Sequence, residues 1–253
     1  MPASVIDIPL ANLTLAALPS VWVIYILAKW SLAAKNATYA IFRMLAQLLL
    51  VGYVLSYIFT AEGSWMVVSV LSVMVLASSW IALGVIKDKR RQLYSSALFA
   101  ISIGGGMMFA IIIIGVLQVD PWYTPQFAIP IAGMIFANSM NSISLAAERL
   151  AVEVDRGQDY MSAKITAFQT SLIPVINSLF AVGLVSLPGM MTGQILSGVS
   201  PLVASRYQMM VMLMIFASSG ISTYLFLNRS ERLFNRWQIQ ILINPLPVKC
   251  TAY

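Results

Sequence analysis

Charged side chains are sparse in this chain, and the stretches between them set the first expectation. Residues 8–28, 44–61, 63–86, 92–119, 121–147, 165–205 and 207–228 contain no Asp, Glu, Lys or Arg. These runs are 21, 18, 24, 28, 27, 41 and 22 residues long. A hydrocarbon core about 30 Å thick takes roughly 20 apolar helical residues to cross. Each run except the sixth therefore suits one membrane-spanning helix.

The sign of the intervening charge orients the helices. Lys87, Lys89, Arg90 and Arg91 form the densest basic cluster, which belongs on the cytoplasmic side. Counting one crossing at a time, 29–43 and 148–164 also fall inside, while the segments around Glu62 and Asp120 fall outside. The C-terminal Arg229, Arg232, Arg236 and Lys249 should be cytoplasmic too. Two cytoplasmic segments are joined by an even number of crossings, so 165–205 holds one span and 207–228 returns. The prediction is an all-α polytopic bundle of seven transmembrane helices, N-terminus outside and C-terminus inside. Its spans lie at about 8–28, 44–61, 63–86, 92–117, 128–147, 165–187 and 207–228. The membrane domain is then 1–228, with 229–253 a cytoplasmic basic tail. Only Arg206, of 15 Lys and Arg, falls outside.

The sixth run leaves residues from Pro188 to about Ser205 beyond its span. Pro188, Gly189, Gly193, Gly198 and Pro201 would interrupt a long helix there. A short broken or re-entrant element at the outer face fits this pattern, and so does an ordinary extracellular loop. Beyond Asn228, Arg232, Phe234, Arg236 and Trp237 interleave charge with aromatic rings, as in a helix lying at the inner headgroup surface. The N-terminus does not read as a cleaved signal peptide: the first charge is Asp7, with no basic segment before the apolar run.

Composition agrees with a bilayer. The chain is 60% hydrophobic and 9% charged, against roughly a quarter charged in soluble domains. The net charge of +6 would raise nucleic acid as a partner in a soluble protein. Here the cations sit in short clusters between apolar runs, so lipid is the implied partner and nucleic acid is not. Cys250 is the one cysteine and can form no internal disulfide.

The chemical inventory argues against an enzyme. With no histidine, the chain alone builds no His zinc site, Ser-His-Asp triad or His proton relay. HExxH, GxSxG and the Walker A pattern GxxxxGK[ST] are absent, so any ATP must be handled by another chain. Every Asp and Glu lies at or beyond the end of a predicted span, whereas a proton-coupled pump keeps acids or His within the bilayer. No metal ligand set and no bound cofactor is predicted. The run Gly104, Gly105, Gly106 lies within an apolar span with no lysine after it, and reads as close helix packing.

Polar residues within the spans are the candidates for a substrate path. Arg43 and Gln47 are four apart on the second helix, Asn138 and Asn141 three apart on the fifth, near Ser142. Asn177 and Ser178 follow Pro174 on the sixth. Such side chains face bundle interiors, either as interhelical glue or as a path lining. Met190, Met191 and Gln194 lie where the sixth helix breaks, and Met209, Met210, Met212 and Met214 cluster on the seventh. Thioethers fill irregular cores and also ligate soft metals such as Cu(I). The cytoplasmic segment 148–164 carries Glu148, Arg149, Glu153, Asp155 and Arg156. A charged helix there could dock on a soluble partner, or it could be a solvated connector.

With these residues in view, the chain resembles the FetB-type permease family, which includes a bacterial iron-export permease and a plant aluminium-sensitivity permease. The matching stretches are RMLAQLLLVGYVLSYIF at 43–59, IPIAGMIFANSMNSISLAAERL at 129–150 and IPVINSLFAVGLVSLPGMMTGQILSGVSPLVASRYQ at 173–208. The resemblance implies the permease subunit of an ATP-binding-cassette exporter, working with a separate ATPase subunit, two of each, with iron first among metal substrates. It implies the plasma membrane, as a bacterial inner membrane. Asn138, Asn141, Asn177, Arg43, Gln47, Met190, Met191 and Gln194 become path candidates, and Glu148, Arg149, Glu153, Asp155 and Arg156 become coupling candidates. In the family, the loop after AAERL is longer and ends an alanine-rich turn with Gly-Ala. Here 22 residues separate Leu150 from Ile173 and no such turn is present. Two other classes fit the residues: a membrane regulatory subunit that transports nothing, favoured by the short segment, and a stand-alone secondary carrier.

Overall fold

In a computed structural model of the chain, residues 9–30, 32–58 and 63–243 are described. Every regular element among them is helical. They divide into two compact units, the first holding the described residues before Gly63 and the second those from Gly63 on.

The first unit contains α1 (Leu10–Lys29) and α2 (Ala34–Ile58). Leu15, Trp22, Phe42, Leu49 and Tyr53 are all more than half exposed. Water would not tolerate so much apolar surface, and lipid does.

The second unit holds α3 (Ser64–Ala82), then α4 (Arg90–Ala100), which passes into a π-helical segment, Ile101–Gly105. α5 (Gly106–Ala110) and a second π-helical segment, Ile111–Val116, complete that rod. α6 (Pro125–Asp155), α7 (Tyr160–Ala181), α8 (Gly189–Leu196) and α9 (Pro201–Ile243) follow. Among the described residues, four stretches are long and apolar enough to cross a membrane: Ser64–Val85, Lys87–Val116, Pro125–Asp155 and Pro201–Glu231. Thr14–Lys29 is a shorter apolar helix. The chain is a multi-pass membrane protein.

α6 is the centre of the second unit and packs against α3, α7 and α9. Ile135, Ile143 and Leu150 of α6 meet Phe226 and Met214 of α9 and Leu93 and Ile101 of the α4 rod in one buried core. Where α4 crosses α9 the contact is made by small residues. A Cβ on Gly104 would lie 2.5 Å from Ser222 Oγ and 2.9 Å from the Ser222 backbone nitrogen. The Ser222 hydroxyl donates to Ser139 Oγ at 3.2 Å, and the Ser139 hydroxyl to the Ser218 carbonyl at 3.3 Å. Small residues let helix backbones approach, and their hydroxyls then bond across the joint. The packing reading of the glycine run holds for Gly104 and Gly105; Gly106 has no neighbour within 4 Å of a would-be Cβ.

Two expectations are corrected. The segment 148–164 contains no separate helix between spans. α6 runs through Glu148 to Asp155, a short turn follows, and Asp159 caps α7 by accepting the Ser162 N–H at 3.0 Å. The extension persists because Glu153, 2% exposed, sits between Arg149 at 2.6 Å and Arg156 at 3.3 Å, spaced i,i+4 and i,i+3. Leu150 and Val154 bury beside it. The tail does not start a new surface helix after Asn228 either: α9 continues unbroken to Ile243. Phe234, 2% exposed, packs 6.3 Å from the Tyr160 ring and beneath Lys89 Nζ, 5.9 Å away, instead of meeting headgroups. The side chains of Arg232, Arg236 and Trp237, and residues 244–253, lie outside the described residues.

The helix ends around Trp80, Arg90, Tyr160 and Leu227 are pinned by side-chain bonds. Arg90 donates from Nε and Nη2 to the Trp80 carbonyl at 2.9 and 2.6 Å, closing the end of α3 while stacking on the Trp80 ring. The Tyr160 hydroxyl donates to the Leu227 carbonyl at 2.5 Å, and Lys164 Nζ to Asn228 Oδ1. These bonds tie α7 to α9 on one side of the bundle end.

Candidate functional site

The opposite stretch of α7 parts from its neighbours. Pro174, inside α7, supplies no N–H to the turn before it, which weakens the helix locally. α7 then ends at Ala181. The N–H groups of Leu184, Val185 and Ser186 all turn back to the Ala181 carbonyl, at 3.3, 2.8 and 3.2 Å. Gly183 makes this possible with φ +85, a value that glycine adopts at little cost. Pro188 caps the eight-residue α8, Gly198 at φ +90 ends it, and Pro201 opens α9. The sequence-predicted break is therefore a short helix between two glycine-supported turns.

A cleft of ≈ 350 Å³ opens between α6, α7 and α9. From α6 it takes Asn138, Asn141, Ser142 and Leu145, from α7 Ser171, Pro174, Val175 and Ser178, and from α9 Met212 and Ile215. Each set follows helical spacing, so one face of each helix contributes. Ser186 and Pro188 close the end towards α8. Asn138 Nδ2 donates to the Met134 carbonyl at 2.8 Å. The Ser171 hydroxyl donates to Phe168 O at 2.7 Å and the Ser178 hydroxyl to Pro174 O at 2.8 Å. Each group thus satisfies its own helix and keeps acceptor oxygen to spare. Next to it lies a more apolar cleft of ≈ 400 Å³, lined by Leu187, Met191, Ser205, Gln208, Met209 and Leu213, with Val182 and Met212 shared between the two. Gln208 is 6% exposed, and its Oε1 has no hydrogen-bond partner.

A family model described as "Uncharacterised protein family (UPF0014)" matches residues 10–234. The chain belongs to this family. The UPF0014 membrane protein slr1647 of Synechocystis sp. is 35% identical over 196 residues, 72% of this chain and 76% of that one. The probable iron export permease protein FetB of Escherichia coli K12 is 31% identical over 259 residues, 94% of this chain and 96% of its own. Protein ALUMINUM SENSITIVE 3 of Arabidopsis thaliana is 32% identical over 200 residues, 73% of this chain and 72% of its own. No solved structure matches the chain.

In this UPF0014 chain the structure gathers some of the sequence-chosen residues and scatters others. Asn138 and Asn141 share the polar cleft, and Met191 lines its apolar neighbour. Asn177 does not join them: it is exposed, one position from Ser178 and so about 100° around the helix. Met190 is likewise exposed and lines neither cleft. Gln194 buries an unpartnered Oε1 but lines neither cleft. Arg43 and Gln47 are exposed on α2, in the first unit. Of the charged set, Glu153 is buried between two arginines, while Asp155 and Arg156 are exposed. Ser171, Ser186 and Gln208 were missed. For Ser171 the signal was its register with Pro174 and Ser178 on α7, and for Gln208 its register with Met212 on α9; Ser186 lies in the turn after α7, where no helical register applies.

Proposed function

We propose that this protein is the membrane-spanning subunit of an ATP-binding-cassette exporter that moves metal ions, iron first, out of the cytoplasm. The observation that carries the reading is a cleft lined by asparagine and serine side chains between three helices, in a protein whose relatives include a probable iron export permease. The substrate passes between α6, α7 and α9, with Asn138, Asn141, Ser142 and Ser178 along its way. The chain itself performs no chemistry and holds no cofactor; a cassette ATPase hydrolyses ATP, and two permease chains pair. Seven crossings, N-terminus out and C-terminus in, put the α6–α7 turn, Glu148 and Arg156 on the cytoplasmic face of a bacterial inner membrane, within reach of that ATPase. The decisive experiment reads the adjacent open reading frame and, where it encodes a cassette ATPase, places both chains in inside-out vesicles. ATP-dependent accumulation of radioactive iron is expected. A neighbouring ATPase that neither co-purifies with the chain nor changes its hydrolysis rate in its presence ends the proposal.

The tight α6–α7 turn, which lacks a separate coupling helix, favours a second reading: a membrane subunit that regulates a partner and transports nothing. Asn138→Leu and Ser178→Ala separate the two. A transport subunit loses efflux and still assembles; a regulatory subunit is indifferent.

A further inference from the structure

We infer that the apolar cleft between the α7–α8 turn, α8 and α9 binds a soft monovalent cation, Cu(I) or its analogue Ag(I), through the thioethers of Met191, Met209 and Met212. The site is one that the export reading leaves unused, and binding there stands without that reading.

The three methionines arrive from two elements. Met191 lies on α8, which packs against α9 between the turns at Gly183 and Gly198. Met209 and Met212 are three apart on α9 and so share a face, with Cβ atoms about 5–6 Å apart. Gln208 lies one turn before Met212 on that face, and all four side chains line one cleft of ≈ 400 Å³. A methionine that serves as filler closes the gap it borders. Here the gap stays open. Met212 is 9% exposed and Met209 63%, so one thioether is held in the wall while the other stands at the rim. An unbranched side chain with three rotatable bonds swings over an ion from such a position.

Charge and softness select the ion. The lining contains no acid, and among the described residues no group of three or more His, Cys, Asp or Glu is placed to hold a metal. Hard divalent ions take oxygen ligands or keep their water. The Born cost of leaving water rises with the square of the charge, so a divalent ion forfeits about four times what a monovalent ion does. Thioethers are neutral and soft, the donor type that selects Cu(I). Gln208 points the same way. It is 6% exposed, and its Oε1 has no hydrogen-bond partner. Ser205, the other polar side chain of the lining, donates its proton to the Leu202 carbonyl at 2.9 Å and so leaves that oxygen unanswered. A buried acceptor without a donor is costly, and a cation held among the thioethers would answer it.

The test uses the purified full chain in lipid nanodiscs, carrying Cys250→Ser so that no thiolate competes, under anaerobic reducing conditions. The chain should withdraw Cu(I) from the chromophoric chelator bicinchoninate. With selenomethionine in place of methionine, the copper-edge absorption spectrum should show selenium neighbours. Met191→Leu and Met212→Leu, which nearly conserve volume, should each weaken Cu(I) binding by about tenfold or more. Met190→Leu, one position away and outside the cleft, should leave it unchanged. Ag(I) should displace the copper, and Fe(II) at the same concentration should not. Copper with only oxygen and nitrogen neighbours overturns the inference, and this spectrum is read on a chain with its methionine positions intact, so it holds even where a leucine variant fails to fold. Equal loss in Met190→Leu and Met191→Leu overturns it by placing the ion elsewhere. Displacement by Fe(II) as effective as by Ag(I) overturns it by removing the selectivity for soft ions. ATP-dependent iron accumulation in the vesicles judges the export reading separately from all of these.

Discussion

Gly104 and Gly106 lie two positions apart on the α4 rod, and alanine should act on them with opposite sign. At Gly106 a new Cβ meets nothing within 4 Å. The substitution there only removes glycine's excess backbone freedom, a gain of about 0.5–1 kcal/mol in a helix. At Gly104 the same gain is available, but the new Cβ meets Ser222 Oγ at 2.5 Å, its nitrogen at 2.9 Å and its Cα at 3.0 Å. The hydroxyl can rotate away; the backbone atoms move only if α9 moves. Overpacking of this kind costs about 1–3 kcal/mol. The balance is a net loss of up to about 2 kcal/mol for Gly104→Ala, and Gly104→Val should cost more.

At about 2–4 °C per kcal/mol for a chain of this size, the two alanine variants should melt several degrees apart. Tryptophan fluorescence during heating in one detergent, at equal protein concentration, measures the difference. Gly104→Ala should melt below wild type and Gly106→Ala at or above it. Adding Ser222→Gly to Gly104→Ala should restore only part of the loss, because the backbone contact at 2.9 Å remains. A Gly104→Ala protein as stable as Gly106→Ala would refute the close crossing of α4 and α9.

Glu153→Gln should destabilise by about 1–3 kcal/mol, discounted because both arginines are partly exposed, and should expose the α6–α7 turn to proteases under limited digestion. Gly183→Ala should cost about 1–2 kcal/mol, since φ +85 suits no side chain there, and a denaturation midpoint checks it. Lys89 lies in the loop between two apolar runs, and burial pulls its pKa down to about 7 despite Asp155 and Asp88. Between pH 7 and the ordinary lysine range the unfolded chain binds the extra proton, so the Lys89 contribution to stability should rise with pH. Lys89→Met should flatten that rise in a melting-temperature series, and an unchanged slope would refute the burial of the amine.

The helices were legible because lipid imposes a simple rule. A charge within a span is expensive, so the charge-free runs mark most helix ends to within a turn or two. That rule is silent about how far a helix continues once it leaves the lipid. α6 outruns its apolar stretch because Glu153 makes two ion pairs along its own helix, and α9 does so because Phe234 finds a pocket beside Tyr160. Both depend on contacts beyond the hydropathy pattern. An interruption was readable from Pro188, Gly189 and Gly198, but α7 ends at Ala181, six residues before the predicted end of the sixth span, where Gly183 at φ +85 turns the chain.

The candidate site was only half legible, for a reason visible in α7. Asn177 is the larger polar residue and attracts attention in a linear reading, yet Ser178, one position on, is the one that lines the cleft. A turn of 100° per residue separates lining from outside, and the rotation of α7 is fixed by partners far away in sequence, such as Tyr160 on the Leu227 carbonyl and Lys164 on Asn228. The type of residue also misleads about what it offers. Serine and asparagine in a span count as both donors and acceptors on paper, but Ser171, Ser178 and Asn138 give their protons to carbonyls of their own helices. In an apolar surrounding those carbonyls would otherwise compete for any ligand proton. The helical backbone thereby takes up part of the polar capacity of this face, while Asn141 and Ser142 keep theirs.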